Sequence, residues 1–375
     1  MSEPHDGGVI AEPDVLAALG GVQDPELQRD LVSLGMVRDI GIDGDRVSFT
    51  VVLTTPACPL RGQIEADCRA AVGALPGVRD VDITWDARVP RDRRLSGRIQ
   101  VGVRNAIAVA SGKGGVGKST VAVNVAAALA RQGAAVGLLD ADVYGPNIPM
   151  MMGVSGARPT ARDGKRLDPV HAHGVSLMSI GFLVDEATPL VWRGPMLHNA
   201  IRQFLSDVTW GELDYLIVDM PPGTGDVALS LTQALPLTGA VVVTTPQAVS
   251  MADVVKCVAM FQLPDIGVPV LGVVENMSGF VAPDTGHRYD IFGRGGGVHV
   301  AERMGVPFLG EVPIDPAVRE AGDGGVPVVV GQPESAVGRA FSEIAGRLAA
   351  AVSVLNMNGD RGSGYEADPD LSLAD

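Results

Sequence analysis

The stretch that most restricts the fold is AIAVASGKGGVGKSTVAVNVAAALARQG, from Ala106 to Gly133. An apolar run of strand length leads into a turn containing Gly112, Gly114, Gly115 and Gly117, and a helical pattern starts at once with Lys118. The glycines let the backbone curl so that successive N–H groups point inward. The helix that follows adds the positive end of its dipole, and the two together cradle phosphate oxygens. In this spacing Lys118 bridges the β- and γ-phosphates of a nucleotide and the Ser119 hydroxyl ligates Mg2+. The segment Gly112, Lys113, Gly114, Gly115, Val116, Gly117, Lys118, Ser119 and Thr120 is therefore the expected ATP-binding loop.

The rest of the chain agrees with that class. Downstream of Asn105 short apolar runs alternate with helical patterns: AAVGLLD at 134, YLIVD at 215, AVVVTT at 240, VPVLGVV at 268 and VPFLG at 306. Such alternation predicts an α/β fold, a doubly wound, mostly parallel sheet covered by helices on both faces. Before it, residues 1–87 read as a small α/β domain in the order helix, strand, strand, helix, strand, with Asp43-Gly44 as a hairpin turn. The 375 residues thus divide into that domain, an arginine-rich linker at 88–104, a P-loop ATPase domain at 105–355 and an acidic disordered tail at 356–375. The arginines of the linker suit either a solvated tether or a docking strip for an acidic partner.

Mg-ATP chemistry also requires carboxylates, and two strands end in them. AAVGLLD closes on Asp140, and Asp142 follows in ADVYGPNIP, near the carboxyl edge of the sheet where phosphates sit. Asp142 is the candidate to orient the attacking water. LDYLIVD closes on Asp219 and continues MPPGTGD, so Asp219 would hold Mg2+ through water and Gly223 could sense the γ-phosphate. Asp140, Asp142, Asp219 and Gly223 together form the expected nucleotide switch.

Lys113 cannot share the seat of Lys118 and must point elsewhere. With it, Lys113–Ser119 matches KGGxGK[ST] and resembles the deviant Walker A ATPases, the group of MinD, ParA and the nitrogenase iron protein. In that group the first lysine reaches the partner's nucleotide, so the resemblance implies an ATP-dependent homodimer with Lys113 catalytic across the interface. Asn276 in VVENMS matches the group's base-contacting asparagine; an Asx turn closing the strand is the other reading of it. Further, DADVYGPNIP, WRGPM at 192, VDMPPGTGD, TTPQ at 244, ENMS at 275, the IFG and GGG segments from 291 and LGEVPIDP at 309 resemble the Mrp/ApbC family. The early domain, with TTPACPL at 54, looks like the small domain often fused to it. That resemblance implies a carrier that binds iron-sulfur clusters and passes them to client apo iron-sulfur proteins under control of slow ATP hydrolysis.

One departure bears on that implication. Where the family commonly has a CxxC pair, this chain reads ENMSGFVAPDTGHRYDIFG, with Ala282 and Thr285 in the cysteine places. Neither is a thiolate, and thiolates hold iron-sulfur clusters. Asp284 and His287 nearby read as exposed loop residues. Of the three cysteines, Cys68 and Cys257 fall in helical runs and read as core. Cys58 is either a reactive or ligating thiol or a small buried hydrophobe.

Charge weighs on the competing readings. Lys and Arg number 29 against 44 Asp and Glu, a net charge of −15, which repels nucleic-acid backbones and anionic lipid surfaces. A ParA- or MinD-like positioning ATPase needs a cationic face or a basic amphipathic tail, and neither is evident. No nucleic-acid or membrane partner is expected, and the absence of a signal-peptide pattern makes the cytoplasm the expected location.

Overall fold

The computed structural model describes residues 10–95, 102–142, 145–162, 166–183 and 194–358. They fall into two compact units: Arg91–Leu348 forms the larger, and the residues up to Pro90 together with those from Ala349 form the smaller.

In the smaller unit, α1 (Glu12–Leu19) precedes a hairpin of β1 (Val37–Asp43) and β2 (Arg46–Leu53), then α2 (Arg61–Gly73) and β3 (Asp80–Ala87). The β1–β2 turn passes through Gly44 at φ +62°, as the expected two-residue hairpin requires. β3 pairs with β2 in parallel, and α2 supplies the crossover between them. Ile64, Cys68 and Val72, spaced four apart on α2, bury one helix face against Val47, Phe49 and Val51 of β2. Val354 and Met357 pack against the same core, and Asn356 Nδ2 donates to Pro90 O at 3.2 Å. Residues 356–358 therefore end a helix rather than begin a disordered tail; 359–375 lie outside the described residues.

Among the described residues the larger unit is built on a nine-stranded sheet. Its strands are β4 (Val103–Ser111), β5 (Val136–Asp140), β6 (Val170–Ala172), β7 (Val175–Ser179), β8 (Leu213–Asp219), β9 (Gly239–Thr244), β10 (Val270–Val281), β11 (Arg288–Tyr289) and β12 (Phe308–Ile314). They lie in the order β6-β7-β5-β8-β4-β9-β10-β11, with β12 also paired to β10. β6 and β11 run antiparallel to their neighbours, and every other pairing is parallel. All residues of β5 and β9 are buried, which requires cover on both faces and explains why these segments read as unbroken apolar runs. The helices used below are α3 (Lys118–Arg131), α4 (Ala248–Phe261) and α5 (Gly296–Met304). In α3, Val121 through Leu129 are all buried, and the alanines among them permit close approach.

Two expectations change. The arginine-rich segment is not a solvated tether where it is described. Asp92 is 3% exposed, and Arg94 grips it through two nitrogens while donating to Thr238 O at 2.8 Å. A buried carboxylate needs such a partner, and Asp92 supplies the reason for Arg94. Val103 and Arg104, placed in the linker by sequence, begin β4.

Candidate functional site

The carboxyl ends of β4, β5 and β8 bring the sequence-derived residues together. Asp140 and Asp219 end adjacent parallel strands and are register partners, so their carboxylates must share one end of the sheet. Between β4 and α3 the loop turns through Gly115 at φ +79° and Gly117 at φ +80°, the left-handed backbone that a P-loop needs and that L side chains resist. A Cβ on Gly117 would also collide with Asn276 Nδ2, whereas one on Gly115 would meet nothing within 4 Å. Gly115→Ala should therefore cost only the backbone penalty of about 1–2 kcal/mol. Gly117→Ala should lower the melting temperature further and weaken ATP binding as Asn276 is pushed aside; thermal melts of the two variants with and without ATP check this.

Lys118 is 6% exposed and sits among carboxylates. Its Nζ donates to Asp219 Oδ1 at 2.7 Å and lies 3.6 Å from Asp142 Oδ2, while Ser119 Oγ donates to Asp219 Oδ2 at 2.6 Å. Burial pushes the Asp219 carboxyl up, against the pull of Lys118. Burial and the neighbouring Asp219 push Asp140 up to about 8. Asp140 works within the protein: it accepts from Ser179 Oγ at 2.9 Å and from the Asp142 N–H at 3.2 Å, fixing the turn that presents Asp142. Gly223 N–H donates to Ser111 O at 2.9 Å, so the DxxG loop is tied to the strand that carries the P-loop.

A cavity of about 640 Å³ opens over this edge. It is lined by Gly114, Gly115, Gly117, Lys118, Ser119, Thr120, Asp142 and Asn276 from the expected site. Met150, Met277, Phe292 and Ile314 add apolar surface of the kind a flat base can stack on. Asp219 and Asp140 stand behind the lining, and Lys113 is also outside it, its Nζ 3.4 Å from Gln247 Oε1 of the same chain. Asn276 forms no Asx turn: its Nδ2 donates to Val116 O at 2.9 Å, fastening β10 to the P-loop. Ser179, Gln247 and Met150 were not singled out from sequence. Only Gln247 carried a signal, as the last residue of the TTPQ segment.

The oxygen donors suit Mg2+. That ion is usually held by one or two carboxylates with substrate phosphates and water, and Ser119 Oγ beside Asp219 Oδ2 is such a donor pair. Among the described residues no group of three or more His, Cys, Asp or Glu side chains could hold a metal by itself.

The thiols are placed differently. Cys68 and Cys257 are fully buried, and burial pushes both up to about 12. Cys58, in the smaller unit, is half-buried and pushed up to about 11, chiefly by burial; the Leu60 and Arg61 N–H groups pull the other way and Glu26 and Asp24 add to the rise. Ala282, Asp284, Thr285 and His287 lie at the loop joining β10 to β11, where Asp284, Thr285 and His287 are exposed. Trp192 and Arg193 of the WRGPM segment lie outside the described residues.

Comparison with known proteins agrees with this geometry. The profile described as NUBPL iron-transfer P-loop NTPase matches residues 102–349, and that of an iron-sulfur cluster assembly protein matches residues 12–85. An iron-sulfur cluster carrier protein of Synechocystis is 57% identical over 91% of this chain and 97% of its own length. The carrier protein of Deinococcus radiodurans is 55% identical over 92% and 96%. Among solved structures, a nucleotide-binding protein of Archaeoglobus fulgidus in complex with ADP is 41% identical, covering 62% of this chain and 89% of that one with a TM-score of 0.54. The cell division ATPase MinD of Pyrococcus furiosus, at 24% identity and a TM-score of 0.50 over 65% of this chain and 98% of that one, shares the fold. No helix among the described residues is long and apolar enough to cross a membrane.

Proposed function

The chain belongs to the family of NUBPL-type iron-transfer P-loop NTPases, and from that premise we propose that it is an ATP-hydrolysing iron-sulfur cluster carrier that works as a nucleotide-switched homodimer and passes clusters to apoproteins. The observation that carries the nucleotide part is the Lys118, Ser119 and Asp219 cluster beneath the left-handed glycine loop. A β/γ-phosphate entering the loop offers Lys118 a stronger partner than Asp219 and leaves Ser119 and Asp219 free to hold Mg2+, Asp219 through water. The ion, when bound, neutralises charge on the β- and γ-phosphates. The exchange is local, because Asp219 closes β8 and feeds directly into the loop of Gly223. Asp142, held by Asp140, orients the attacking water, and release of the Gly223 N–H from Ser111 O would turn it toward the γ-phosphate.

Lys113 supplies the dimer-dependent part. Its bond to Gln247, at 3.4 Å, is long for a charged donor, so little opposes its transfer to a second copy's nucleotide. Lys113→Ala should bind ATP within about threefold of wild type, since the β/γ-phosphates keep Lys118. ATP-dependent dimerisation, read by light scattering, and phosphate release should fall together. A variant retaining full ATPase activity would remove the role across the dimer.

A further inference from the structure

Glu275 is fully buried in β10, a strand position that an apolar side chain would fill at far lower desolvation cost. Both of its oxygens are used. Oε2 accepts from Gly297 N–H at 2.5 Å, in the first turn of α5, and Oε1 accepts from Ser278 Oγ at 2.6 Å. Gly297 is the residue that allows this approach, because a Cβ there would stand 2.8 Å from Glu275 Cβ. Ser278 Oγ also lies 2.7 Å from Oε2 of Glu311, the register partner of Glu275 on β12. Arg288 closes the group, with Nη1 3.5 Å from Glu311 Oε1 and Nη2 donating to Ser278 O at 3.4 Å.

These bonds bracket an irregular piece of backbone. The β10–β12 register shifts between Asn276 and Phe280, and Met277 stands at φ +58°, a left-handed conformation that a methionine does not adopt without support. Asn276 and Met277 both line the cavity, and Asn276 holds the P-loop through Val116 O. We propose that Glu275 is a positioning residue for the nucleotide: by bridging the start of α5 and Ser278 it holds the Asn276-Met277 turn against the P-loop on the side of the cavity that receives the base. This rests on the nucleotide reading of the cavity and adds to it a residue that touches no ligand. A carboxylate serves where an apolar side chain of the same length does not, because its oxygens meet the Gly297 N–H and, together with Glu311, share the single proton of the Ser278 hydroxyl.

A role confined to the base predicts a split that a general loss of stability would not produce. In Glu275→Met, which keeps the length of the side chain, both acceptors are lost, so the turn loosens while Lys118 and the glycine loop keep their places. ATP affinity, measured by calorimetry with Mg2+, should fall about tenfold, and affinity for inorganic triphosphate should stay within about twofold of wild type. Ser278→Ala should show the same split more weakly and guards against a Glu275 variant that fails to fold. Equal loss for ATP and triphosphate, or no loss for either in the folded variants, would overturn the positioning role. A wild-type protein that bound neither ligand would overturn the nucleotide reading first and this inference with it, whereas wild-type binding without the split would sink this inference alone.

Discussion

Lys118→Ala should remove ATP binding almost entirely, by roughly 100-fold or more, since it deletes the one buried cation of the loop and charge-assisted hydrogen bonds contribute about 1.5–3 kcal/mol each. The loop alone is no substitute, because its N–H groups supply partial charges while Lys118 supplies a whole one at 6% exposure. The same change acts on the nucleotide-free protein. Lys118 lies between Asp219 at 2.7 Å and Asp142 at 3.6 Å, with Asp140 in register beside Asp219. Removing one partner of a buried ion pair typically costs about 3–5 kcal/mol, so the melting temperature should fall as well as the affinity. Lys118→Met keeps most of the packing volume and separates the two effects: it should lose ATP binding as fully as alanine does. Calorimetry giving wild-type affinity in a folded Lys118→Met protein would remove the P-loop from the site. The two losses have a common origin, because the cation that the phosphates need is the one that the strand-end carboxylates need in their absence.

Most of this site was legible in the sequence because its parts are local. A strand, a glycine turn and a helix N-terminus are contiguous, so Gly112 to Thr120 could be read as one device. Asp140 and Asp219 could be read because each ends an unbroken apolar run. The segment VSLMS, which forms β7, lacks the apolar signature of the other interior strands because Ser176 and Ser179 interrupt it, although Ser179 from its end is what holds Asp140. Glu275 and Glu311 were not legible for a different reason. Each looks like an ordinary solvated carboxylate until the parallel register of β10 and β12 places them side by side, and register between strands some 35 residues apart is not written in either segment. Arg94 was misread likewise: its partner Thr238 lies 144 positions away. The P-loop and its strand-end carboxylates are carried by short-range pattern, whereas the positioning around them is carried by pairings that only the folded sheet reveals.

Iron-sulfur reconstitution should give a labile cluster, because the thiolates are too few. A stable all-cysteine site takes about four, and a chain with three cysteines commits two of them to packing: Cys68 and Cys257 are both fully buried, on α2 and α4. Their thiols, pushed up to about 12, stay protonated at neutral pH, and a protonated thiol is a poor ligand. Burial does not fully close off Cys58. It is half-buried in a segment leading into α2, and the Leu60 and Arg61 N–H groups favour its thiolate, although the balance still leaves the thiol at about 11. Metal must therefore supply the driving force for its deprotonation, which makes binding weaker and steeper in pH than at a preformed thiolate. Two copies of the chain would offer two such thiols, leaving the remaining coordination to small thiols or to a client apoprotein. The expected result after anaerobic reconstitution is a visible absorption band that fades on desalting, persists when a cysteine-bearing client is present, and is largely absent from Cys58→Ser. ATPase activity should be the same in both proteins, since Cys58 plays no part in the phosphate site. A stable, stoichiometric cluster in Cys58→Ser after desalting would show that other ligands hold the cargo and that Cys58 is only packing.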